Sequence, residues 1–173
     1  MNVANSTSLS EVSVPPTRMR SAFEIAAVLA RWGIGLLFLY MGLNKALHPV
    51  EFLKLVRQYD IVQSYVLLNL IAATLPWFEV FCALLLLAGV AVRGAALTLV
   101  AMLIPFTALV IKRALAIQAA KNISFCAIKF DCGCGAGEVF ICWKILENSF
   151  LVLLSIWLLY GFGRRWAAKY NLM

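Results

Sequence analysis

Four stretches long and apolar enough to cross a bilayer dominate this chain: Ala22 to Leu43, Ser64 to Val92, Gly94 to Ile111 and Ile145 to Gly163. Hydrocarbon offers no partner to a bare N–H or C=O, so a spanning segment must be a helix or part of a closed barrel, and apolar runs of about 20 residues select the helix. Composition agrees, because 64% of the residues are hydrophobic and 13% are charged, far from the balance of a water-soluble domain. The expected fold is all-α, a four-transmembrane-helix bundle. Only Val92-Arg93-Gly94 separates the second span from the third, so those two must be antiparallel neighbours. Pro76 and Pro105 fall inside spans and are expected to kink them.

The connections are more polar. Between Asn44 and Gln63, Phe52, Leu55, Val56 and Tyr59 recur at helical spacing, with Glu51, Lys54, Arg57 and Asp60 between them. This pattern predicts a short interfacial helix. From Lys112 to Lys144 the chain continues as a helical KRALAIQAAK and then turns irregular through FCAIKFDCGCGAGEVFICW, a Cys-rich loop between helices 3 and 4. Residues 1–21 hold Ser, Thr, Val and Pro and no apolar h-region; they are expected to form a flexible tail rather than a cleaved signal, with the first span acting as the insertion signal. Residues 164–173 form a basic C-terminal tail. The net charge of +7 does not point to nucleic acid, since the basic residues scatter near the ends of apolar runs, as membrane flanks do. The lipid bilayer is the expected partner. Four spans put both termini on one side. The Lys and Arg tally does not decide which side, but the very short central loop and the C-terminal cluster lie close to membrane ends and favour cytoplasmic termini. The cysteine loop is then extracytoplasmic, where disulfide chemistry is sustained.

Asp131-Cys132-Gly133-Cys134-Gly135 places two thiols one glycine apart beside the membrane. Gly133 resists a tight backbone very little, and a disulfide closed across so small a ring is strained and easily reduced. With Cys126 and Cys142 the loop holds four cysteines, and three uses compete. Cys132 and Cys134 can be a redox-active pair, with Cys126 and Cys142 as a resolving or bracing pair. All four can be static disulfides. A metal site is the third use, but C-x5-C-x-C-x7-C lacks the paired C-x2-C spacing of common zinc modules, and no metal is expected.

Inside the spans, ionisable groups are costly and usually face the bundle interior. Arg31, Gly35, Gly42 and Lys45 share one stripe of the first helix, where the glycines permit close helix approach. Glu79, in LPWFEVFCALLLLAG, must be paired, protonated or solvated. It can hydrogen-bond a quinone, relay a proton, or ion-pair with Arg31, for which Glu24 is the other candidate partner. Cys82, deep in the same span, is expected to be a small packing residue. His48, the one histidine, sits before Pro49 at a span end, where a cap or anchor is more usual than a catalyst. Lys144 and Asn148 lie a turn apart in the fourth span and are placed to point back under the loop.

The run RWGIGLLFLYMGLNKALHPVEF, then YDIV, LPWFEV, and finally DCGCG with WKILENSFLVLL, resembles the DoxX superfamily, and within it the MauE branch of methylamine-utilisation membrane proteins. The resemblance covers Arg31 to Tyr160. It implies a four-helix protein of the bacterial cytoplasmic (inner) membrane, associated with thiol redox chemistry, working beside thioredoxin-like proteins and linked to quinones. Carried over position by position, it marks Arg31, Gly42, Lys45, Pro76, Glu79, Cys132, Cys134 and Asn148. The function expected is a membrane thiol–disulfide oxidoreductase that passes electrons between a thioredoxin-like or other thiol partner and a membrane acceptor such as quinone. The alternative is a non-catalytic subunit or assembly factor of a larger membrane complex with structural loop disulfides.

Overall fold

The computed structural model describes residues 17–59, 64–133 and 137–160, with side chains in the first helix from residue 22 onward. Residues 1–16 and the C-terminal stretch from 161 lie outside them, as does Cys134. Helix α1 runs Thr17–Leu47, α2 Pro49–Gln58, α3 Tyr65–Ala88, α4 Val92–Lys121 and α5 Ile141–Leu159. A 3-10 turn, Phe125–Ala127, and two short strands, β1 (Lys129–Asp131) and β2 (Glu138–Phe140), lie between α4 and α5. Four helices, α1, α3, α4 and α5, are long and apolar enough to cross a membrane. This is the expected four-helix bundle, with α2 as the short extra helix.

The element ends differ from the apolar runs for local reasons. α1 begins at Thr17, inside the stretch read as a tail, and continues to Leu47; the proline at 49 then favours a restart, since its missing N–H is harmless in a first turn. His48 closes the joint, its Nδ1–H donating to the Asn44 carbonyl at 3.0 Å. α2 carries Glu51 in its first turn and Arg57 in its last, each complementing the helix dipole. The break between α3 and α4 falls at 89–91, not at Val92-Arg93-Gly94. Gly89 adopts a left-handed φ of 72°, and the bonds Gly89 N–H to Leu86 O (3.1 Å) and Val90 N–H to Leu85 O (3.0 Å) make the paired closure that ends helices at glycine. Asn122, also left-handed at φ 50°, ends α4.

The loop read as irregular contains an antiparallel ribbon, with Lys129 opposite Phe140, Phe130 opposite Val139 and Asp131 opposite Glu138. Ribbon and α5 are continuous, so α5 starts at Ile141, four residues earlier than the apolar run. A disulfide between Cys126 and Cys142, with Cα atoms 5.1 Å apart, ties the 3-10 turn to the first turn of α5.

α1 packs chiefly on α3, and α4 on α5. Two glycines set the first contact. A Cβ at Gly35 would lie 2.9 Å from the Leu87 side chain, and one at Gly42 would lie 3.0 Å from Val80 Cγ2 and 3.1 Å from both Glu79 Cβ and the Pro76 carbonyl. Small residues let backbones approach and gain dispersion contact where lipid leaves no hydrophobic drive between helices. The buried apolar residues form two clusters: one built around Ile34, Phe38, Leu86, Leu99, Leu103 and Leu158, and one under the cysteine loop with Met41, Val110, Ile128, Cys132 and Ile141. Cys82 belongs to the first, in keeping with a packing role.

Candidate functional site

Because Gly42 brings α1 against α3 at Glu79, Lys45, one turn further along α1, reaches the same carboxylate. Its Nζ stands 2.8 Å from Oε1 and 2.8 Å from Oε2. Both side chains are buried, at 7% and 9% exposure. Burial of either charge alone is prohibitive, and a two-pronged ammonium–carboxylate contact is the usual resolution. The partner of Glu79 in this pair is therefore Lys45; the sequence offered Arg31 as one candidate, with Glu24 as that cation's other choice. Lys45 Nζ also lies 5.5 Å from the centre of the Phe52 ring of α2, within cation–π range.

The pair opens onto a cavity of about 450 Å³ lined by residues of α1, α2, α3, α4, α5 and the cysteine loop. Its walls are almost wholly apolar, with Phe38, Phe52 and Phe106 prominent. Lys45, Glu79, Tyr59 and Asn148 interrupt them, and Cys132 and Gly133 form the wall on the loop side. Residues of both core clusters line it. Cys132 is 1% exposed, so its sulfur belongs to this interior rather than to the loop surface. Asn148 donates through Nδ2 to Thr107 Oγ1 at 3.0 Å, which links α5 to α4 at the cavity edge.

The loop geometry follows from its residues. The Asp131 carboxylate accepts the Gly133 N–H at 2.9 Å, a side-chain-closed turn, and Gly133 takes φ 78°, which glycine adopts without steric cost. Any Cβ at 133 would sit 3.6 Å from Leu55 Cβ, so α2 rests directly on the turn. Lys129, in β1 just before the cysteine turn, lies over the Phe140 ring at 4.2 Å. Lys144 is buried and its Nζ stands 3.1 Å from Glu147 Oε2.

Of the sequence candidates, the structure brings together Lys45, Glu79, Asn148 and Cys132 around one chamber. Arg31, 1% exposed, is buried in the bundle but does not line it. Cys126 and Cys142 are bonded to each other, which removes two of the four thiolates a metal site in the loop would have needed. Among the described residues no group of three His, Cys, Asp or Glu side chains is placed to hold a metal ion. Two residues escaped the sequence reading as site components. Tyr59, assigned to the apolar face of an interfacial helix and to the YDIV run but given no role at the site, hydrogen-bonds the Cys132 carbonyl, and Arg113, assigned only to the helical continuation, stacks on Tyr59. Nothing local marks them, because their partners are far away in sequence.

Comparison with known proteins adds one finding. A family model described as methylamine utilisation protein MauE matches residues 23–161, most of the chain. No curated protein and no solved structure matches it.

Proposed function

From the premise that this chain belongs to the MauE family, we propose that it is a membrane thiol–disulfide redox protein that accepts electrons from a thioredoxin-like partner at Cys132 and Cys134 and passes them to a quinone in the bundle. The observation that carries this is the shared chamber: Cys132 and the Lys45–Glu79 pair border one apolar cavity of about 450 Å³. Such a volume falls within the range of small-molecule sites, which are mostly apolar with a few placed polar groups. The placement in the wider DoxX superfamily, the bacterial inner membrane, the cytoplasmic termini and the extracytoplasmic loop are parts of the same proposal.

A partner thiolate attacks one sulfur of a Cys132–Cys134 disulfide, and that bond breaks as a mixed disulfide forms. The partner's second thiolate then attacks the mixed disulfide and leaves as the partner's own disulfide, so two electrons and, after protonation, two protons rest on the cysteine pair. A quinone bound in the cavity supplies an acceptor for two electrons and two protons. Phe38, Phe52 and Phe106 would hold a flat ring and exclude water; the Lys45 ammonium would donate to a ring carbonyl, and the Glu79 carboxylate, bonded to Lys45, would be the group to take up and return a proton. Re-forming the disulfide restores the starting state.

The experiment uses the full chain in lipid nanodiscs with a reduced thioredoxin-like protein and a short-chain quinone whose absorbance reports reduction. Cys134→Ser is expected to trap a mixed disulfide and to stop quinone reduction; Cys132→Ser stops it too. If neither variant traps a partner and both retain full activity, the mechanism is wrong. The alternative of a non-catalytic subunit draws on the Cys126–Cys142 staple, and fixed-stoichiometry copurification with a complex, without quinone reduction, would select it.

A further inference from the structure

One direct bond and two neighbouring contacts surround Cys132 and its turn, from residues outside the cysteine motif. Tyr59, at the C-terminal end of α2, donates its hydroxyl proton to the Cys132 carbonyl at 2.9 Å. Arg113, on the part of α4 beyond Pro105, lies 5.7 Å from the centre of the Tyr59 ring and 5.7 Å from that of Phe130 in β1. The same guanidinium hydrogen-bonds the Gln58 carbonyl, and its Nη2 donates to Gln58 Oε1 at 2.9 Å. One cation thus joins the end of α2, the strand before the cysteine and α4. On the other side Leu55 of α2 rests on Gly133.

We propose that Tyr59 and Arg113 are positioning residues for Cys132, a latch that presses α2 onto the cysteine turn and keeps the sulfur turned to the apolar cavity and shielded from water. The proposal rests on the redox reading only for its purpose; the latch itself is a statement about access. With the latch closed, Cys132 meets what dissolves in the bilayer interior. A bulky water-soluble reagent reaches it only when α2 lifts.

Access can be read without any electron transfer. In a Cys82→Ala, Cys134→Ser background, with Cys126 and Cys142 left bonded, Cys132 is the one free thiol. The full chain in nanodiscs is treated either with N-ethylmaleimide, small and membrane-permeant, or with a maleimide carried on a large hydrophilic polymer. The parent is expected to react readily with the first and slowly with the second. Tyr59→Phe, which deletes one hydroxyl, should speed the polymer reaction about five-fold, the factor that goes with losing one ordinary net hydrogen bond. Arg113→Gln, which removes the stacked cation, should speed it more. Neither should change the N-ethylmaleimide rate by as much, whereas general loosening of the fold raises both together. Trp143→Phe, at an exposed position of α5 that makes none of the contacts named for the latch, should leave both rates unchanged. The proposal is overturned if Tyr59→Phe and Arg113→Gln keep the parent's polymer rate, or if they raise both rates in parallel. Should the rates behave as expected in a protein that reduces no quinone, the latch stands and the redox reading falls.

Discussion

Replacing Glu79 by Gln keeps the side-chain volume and removes the charge, so its effect isolates the ion pair from packing. Lys45 then holds an ammonium at 7% exposure with its two 2.8 Å carboxylate contacts replaced by one neutral acceptor. Breaking a buried pair from one side costs about 3–5 kcal/mol. Lys45 lies in the last turn of α1, and its flexible stem can carry the charge toward the headgroup region, so the lower end, about 3 kcal/mol, is expected. Lys45→Met should cost less, since an orphaned carboxylate can take up a proton. The double variant Lys45→Met/Glu79→Leu should return to within about 1 kcal/mol of the parent, because an apolar pair of similar size needs no desolvation. The assay is equilibrium unfolding in mixed micelles by a denaturing detergent, followed through the intrinsic tryptophans, in which the parent, Lys45→Met, Glu79→Leu and the double variant close a double-mutant cycle. Stability and activity should part company: the double variant folds as well as the parent yet has neither the donor nor the proton carrier assigned to quinone chemistry. A Glu79→Gln protein as stable as the parent, with no coupling in the cycle, refutes the desolvated pair.

Gly42→Ala should destabilise the bundle by about 1–3 kcal/mol, the usual cost of overpacking, because its Cβ would press on the Pro76 carbonyl and Glu79; Gly33→Ala, with nothing within 4 Å of its Cβ, should be neutral or stabilise by up to about 1 kcal/mol, and the same detergent titration compares them. Cys126→Ser/Cys142→Ser opens a cross-link of sequence separation 16 and should cost about 3 kcal/mol by the loop-entropy relation, measured against the parent under non-reducing conditions; a loss below about 1 kcal/mol would mean that the ribbon and the Ile141 to Ile128 bond hold the loop without it.

The architecture was legible because membrane spans announce themselves through length and apolarity, which need no knowledge of neighbours. Candidate polar residues were legible for a related reason: Lys45, Glu79 and Asn148 are conspicuous in apolar surroundings, and the glycines of α1 indicated a close approach. Partner choice was not. Arg31 and Lys45 lie on one stripe of α1, and the depth at which α3 crosses that stripe, fixed by Gly42 against Glu79, decides between them. The ribbon was missed because strands of three residues are too short to show alternation. Tyr59 and Arg113 were missed because 73 residues separate Tyr59 from Cys132 and 55 separate Arg113 from Gln58. The Lys129–Phe140 stacking likewise depends on the ribbon register.

Pro105 bears on what the chamber can hold. Lacking an N–H, it cannot cap the carbonyl of Ala101 one turn earlier, and both residues line the cavity. The proline thus leaves one main-chain acceptor without its helical donor on an element that lines the same cavity as Lys45 and Glu79. Under the proposed function, that acceptor would suit the hydroxyls of a reduced guest as the Lys45 ammonium suits the carbonyls of an oxidised one.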